Sequence, residues 1–164
     1  MPRFVPLVVA VFCTVIVTAA QATPEIEVWE KLSGYLSAEA NRQLEELPLV
    51  SGEEAQRERE FCAAVVHLDQ QPLSETRLDD VEERLQGLLM IEGNDEIARA
   101  SRYLLGRIAQ IFRAEPDVEV AAKYFRGLVE EAGPGDWEEQ ARLKLALLTL
   151  YALPVKTPQA RIAR

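Results

Sequence analysis

Cysteine and histidine are scarce in this chain: two cysteines, Cys13 and Cys62, and one histidine, His67, in 164 residues. Cys13 lies in an N-terminal apolar run, so Cys62 has no disulfide partner in the folded part and the fold must rest on packing. A lone thiol of this kind reads as a small buried hydrophobe. Cys62 and His67 fall on one predicted helix, about 140° apart round its axis. They can form neither a nucleophile pair nor a two-ligand metal site. A glycine-rich phosphate loop, a zinc-ligand spacing and a serine-nucleophile motif are also missing. The adjacent carboxylates Glu53-Glu54, Glu82-Glu83 and Glu138-Glu139 diverge by about 100° on a helix and read as solvated faces, as does the Asp79, Glu82, Glu83 side of another helix. No catalytic residue, cofactor or metal is expected. Basic residues number 18 against 27 acidic ones, a net charge of −9. Such a surface repels phosphate backbones, which speaks against nucleic acid as a partner. Alternation of period two is absent, and an all-α chain is expected.

The one long hydrophobic run opens the chain. Pro2-Arg3 is followed by apolar Phe4 to Ala20 and then by Ala20-Gln21-Ala22. A charged start, an apolar middle and a small-x-small site have the form of an export signal, residues 1–22. Cys13, preceded by bulky Phe12, does not suit lipid attachment. Cleavage after Ala22 would leave an exported chain, periplasmic or secreted, of net charge −10, since Arg3 is the only charge removed. Contact with a membrane is expected only if the segment is kept as an anchor.

The rest is organised by a repeat of 40 residues without gaps. Leu105, Gly106 and Ile108 fall on Val65, Val66 and Leu68 one period earlier, and on Leu145, Ala146 and Leu148 one period later. Between them Val81, Leu85, Leu88 and Leu89 match Ala121, Phe125, Leu128 and Val129. A fixed period with helical spacing predicts antiparallel helix pairs stacked as a short right-handed α-solenoid of about two and a half repeats. The expected divisions are an N-terminal helical cap over 23–50, repeats over 51–152 and a C-terminal tail over 153–164. Within the cap, Ser37 suits the start of a short helix over 38–47. Ser51-x-x-Glu54 has the form of a capping box for a helix over 51–70, and Thr76-x-x-Asp79 opens the next. Asn94 or Asp95 caps the third long helix, Pro116 starts the fourth, and Asp136 caps the last, 137–152.

Leu104-Leu105-Gly106, followed by Ala121, Phe125, Leu128 and Pro134, resembles the tetratricopeptide repeat. The match covers 58–152 and is closest over 97–134. Gly106 corresponds to the family's close-approach glycine, Ala121 to its small residue and Phe125 to its aromatic. The period departs from the family's value of about 34 residues, the Gly106–Ala121 spacing is longer, and Leu128 replaces a small residue. The resemblance implies a non-enzymatic, protein-binding scaffold whose first helices line a groove. Carried over from Gly106, the groove positions are Tyr103, Arg107 and Gln110. The 40-residue register adds Ala63, His67 and Gln70 before them and Leu143, Leu147 and Leu150 after, with Tyr151 beside these. The expected occupant is another protein or peptide. The alternative is a small all-α enzyme or inhibitor with its site in that groove near His67, Tyr103 and Arg107. The last helix is apolar on several faces, at Leu143, Leu147, Leu150 and Tyr151, and wants to be buried. The tail folding back, a second copy, or a partner could each cover it.

Overall fold

The computed structural model describes residues 25–48, 51–91, 94–131 and 135–152, and all regular structure among them is helical. The expected export signal and C-terminal tail lie outside the described residues. So does Pro134. The chain divides between residues 92 and 93 into two compact units.

The first unit holds α1 (Ile26–Ser33), α2 (Ser37–Glu46), α3 (Glu53–Asp69) and α4 (Glu75–Ile91). Its core is Val28, Leu32, Ala40, Leu44, Phe61, Val65, Val66, Leu68, Leu78, Val81 and Leu85. Trp29 lies 6.1 Å from Phe61 between ring centroids and ties α1 to α3. Arg59 on α3 donates to the carbonyls of Leu44 and Leu47 at 3.2 and 3.1 Å. It thereby satisfies acceptors that the end of α2 would otherwise leave unpaired.

The second unit holds α5 (Glu96–Arg107), a π-helical turn (Ile108–Phe112), α6 (Val118–Glu131) and α7 (Asp136–Tyr151). Leu104, Leu105, Ile108, Ala121, Phe125, Leu128, Trp137 and Leu148 form its core. Gly106 is the point of closest approach. A Cβ there would stand 2.7 Å from Phe125 Cε1 and 2.9 Å from Cζ, closer than any side chain tolerates.

The helix starts differ from several expectations, and each difference has a physical reason. The N-cap of α3 is Gly52 at φ +106, with no side-chain cap, so the Ser51–Glu54 capping box does not form. Ser74, two residues before Thr76, caps α4 by accepting from the Arg77 amide at 3.2 Å. Asp95, rather than Asn94, accepts from the Ala98 amide at 2.8 Å. Asp117 accepts from the amides of Glu119 and Val120, so Pro116 stands outside α6. Ser37 and Asp136 are the first helical residues of α2 and α7, whose N-caps, Leu36 and Gly135, carry no side-chain hydrogen bond. Asp136 still places negative charge where the helix dipole favours it.

Candidate interaction surface

Burial follows the 40-residue register through three helices. Phe61, Ser101 and Ala141 are buried at one position, and Leu68, Ile108 and Leu148 at another. In the second helices Val81 and Ala121, Leu85 and Phe125, and Leu88 and Leu128 are all buried. The register fails on the last helix, where Arg142 and Thr149 are exposed at the positions of buried Cys62 and Ala109, and most plainly on one apolar arc. Val66 and Gly106 are buried but Ala146 is exposed; Ala63 is half-buried and Tyr103 buried but Leu143 is 58% exposed. His67 and Arg107 are half-buried where Leu147 is exposed, and Gln70 and Gln110 where Leu150 is 73% exposed.

The candidate groove residues therefore divide. His67 and Gln70 belong to α3, in the first unit. Burial lowers the His67 imidazole below its ordinary range, and the Arg84 and Arg77 charges act in the same direction. On the same helix Cys62 is fully buried, and burial, then the Glu25 carboxylate, push its thiol up to about 12 against the pull of Arg59. A thiol held so firmly in its protonated form is no nucleophile.

Tyr103, Arg107, Gln110, Leu143, Leu147 and Tyr151 belong to the second unit. Tyr103 lines no open groove. Its ring is 5% exposed and packs between Phe125 and Trp137, with centroid distances of 5.7 and 5.4 Å. Two helices cover it because α6 approaches α5 at Gly106 while α7 sets Trp137 across the same face. The Trp137 indole N–H donates to the Glu96 carboxylate and pins α7 to the start of α5. Burial raises the pKa of the Tyr103 phenol, while a hydrogen bond and the charge of Arg107, one turn on, oppose the rise.

Arg107 faces α7 beyond this aromatic cluster. The nearby residue that reports it is Lys144, a position that the repeat register makes equivalent to buried Leu104 and that sequence reasoning missed. Lys144 is half-buried, and its ammonium is lowered by burial and then by the Arg107 charge. Neither cation forms an ion pair among the described residues. Arg107 Nε and Gln110 Oε1 are buried without a hydrogen-bond partner there. The seam between α5 and α7 thus carries two cationic groups, while the unpaired Gln110 amide oxygen belongs to the π-helical turn, which packs on α5 and α6. Among the described residues there is no group of acids, histidines and cysteines able to hold a metal ion, and no helix long and apolar enough to cross a membrane. No protein family, curated protein or solved structure matches the chain.

Proposed function

We propose that this chain is an exported, non-enzymatic helical-repeat scaffold of the tetratricopeptide-like α-solenoid class, which binds another protein or peptide in the cell envelope. The observation that carries the reading is the pairing of Arg107 with Lys144. Two half-buried like charges raise each other's energy, and both lack a carboxylate partner among the described residues. A segment bringing an acidic side chain would relieve both. The recurrence of one burial pattern at 40-residue spacing supports the scaffold class, because folds built from stacked pairs present extended surfaces rather than deep clefts. Export rests on the form of residues 1–22.

The test is selection of binders from a displayed peptide library, followed by titration of the selected peptides against the protein and its Arg107→Glu/Lys144→Glu variant. Enrichment of acidic peptides that lose at least tenfold in affinity for the variant is expected. Selection of neutral or basic peptides, or equal affinity for both proteins, would overturn the reading.

A further inference from the structure

Two like charges on long stems move apart unless something holds them together. Lys144 is held by its place on α7. It follows Trp137 by two turns and so lies on the same side of that helix, the side that covers Tyr103. The stem of Arg107 is long enough to carry its guanidinium out to water. Instead the side chain stays half-buried, with Nε enclosed, one turn after Tyr103 on α5. The phenol oxygen of Tyr103 accepts a hydrogen bond from it. That phenol is itself immobile, because its ring is gripped by Phe125 and Trp137. The close approach at Gly106 fixes Phe125, and the Glu96 carboxylate fixes Trp137. Packing does not require the hydroxyl, since a phenylalanine would fill the same space. The equivalent positions in the repeat hold Ala63 with His67 and Leu143 with Leu147. Neither pair sets a hydroxyl beside a guanidinium.

We infer that Tyr103 is the positioning residue of this seam: its hydroxyl holds the Arg107 guanidinium beside Lys144, so that one incoming carboxylate meets both cations. The inference rests on the reading above, in which an acidic segment binds there. A pair of donors set in place beforehand spares the incoming group the cost of ordering a long side chain. The aromatic cluster of α5, α6 and α7 is then the foundation of the site. Tyr103 touches no partner, and acts from beneath the surface through Arg107.

The first measurement needs no partner. Burial and then the Arg107 charge hold the Lys144 ammonium below its ordinary value of 10.5. Its titration can be followed by NMR of the full chain with labelled lysine side chains, the signal being assigned with Lys144→Arg. Tyr103→Phe keeps the ring and should release the guanidinium, so Lys144 should move up towards 10.5 with an unchanged circular-dichroism spectrum. Arg107→Met should also move it up, and Tyr103→Phe should add nothing in that background. The second measurement uses acidic peptides selected on the wild type. Tyr103→Phe should weaken them about tenfold, the scale of one hydrogen bond to a charged group, again with no further loss in Arg107→Met. A Lys144 titration that responds to Arg107→Met but not to Tyr103→Phe would overturn the role of Tyr103 alone. So would losses of affinity that simply add. Failure to select any acidic peptide would overturn the site and this inference with it.

Discussion

At the scale of single residues, the contact between Gly106 and Phe125 governs how closely two helices can lie. Phe125 is fully buried and cannot swing away from a Cβ placed 2.7 Å from its ring. Gly106→Ala should therefore destabilise the protein by about 1–3 kcal/mol, the usual cost of overpacking. Shrinking the ring should recover part of the loss, so Gly106→Ala combined with Phe125→Leu should cost less than the two changes summed, as a double-mutant cycle in urea would show. Additive losses would mean that the ring is not what excludes the methyl group. Cys62 makes a second prediction at this scale. Its thiol is fully buried and pushed up to about 12, so labelling by a maleimide at neutral pH should wait on unfolding. Native labelling at the rate of a free thiol, followed by mass spectrometry, would contradict its placement.

Among the elements, the turn between α1 and α2 has its glycine one residue early. The Leu36 amide donates to the Lys31 carbonyl and the Tyr35 amide to the Leu32 carbonyl, at 2.9 and 3.0 Å. This is the Schellman closure, whose left-handed residue is Tyr35 at φ 60, while Gly34 keeps φ −83. An L-residue in that conformation costs about 1–2 kcal/mol, and a methyl group at Gly34 would meet only ordinary contacts, the nearest at 3.5 Å. Tyr35→Gly and Gly34→Ala should each raise stability, by about 0.5–1 kcal/mol. A fall in the urea midpoint for either would refute the assignment. The same turn shows why element ends were only half legible. Ser33-Gly34 is a pair that weakens a helix, but which residue turns left depends on where the last hydrogen bonds close. Asp95 was readable because acceptor and amide lie on one continuous stretch. Ser51–Glu54 misled because Gly52, free to adopt positive φ, starts α3 without them. The π-helical turn at Ile108–Phe112, closed by the Arg113 amide on the Ile108 carbonyl at 3.3 Å, has no mark in the apolar spacing.

For the molecule as a whole, the all-helical fold and its burial register were legible because a 40-residue period repeats the same packing problem. Which face lay open was not. Tyr103 has the register of a groove residue, but Trp137, a full period from Ile97, covers it, and nothing in the spacing marks Lys144, whose equivalents Ala64 and Leu104 are apolar. The charge balance gives a last prediction, on pH. Burial raises the Glu58 carboxyl above its ordinary range, with Glu25 and Glu54 adding to the effect, and burial raises Asp69 as well. Such groups bind protons in the folded state before the unfolded chain does. As pH falls through their raised folded values, the folded state gains stability, and the gain is complete below the ordinary carboxylate range. His67 acts the other way. Its folded value is lowered, so its contribution is fully present above its ordinary value of 6.5 and is lost as pH falls from there to the folded value. The net charge of −9 also shrinks towards the isoelectric point near 4.8, which weakens self-repulsion. Two carboxyls and the overall charge thus oppose one histidine, and the urea midpoint should rise between pH 7 and pH 5. Glu58→Gln should raise the midpoint at pH 7 and flatten this rise, whereas His67→Gln should steepen it. A midpoint that falls steadily with acidification in the Glu58→Gln and wild-type proteins alike would show that His67 governs the balance and that Glu58 is ionised in the fold at little cost.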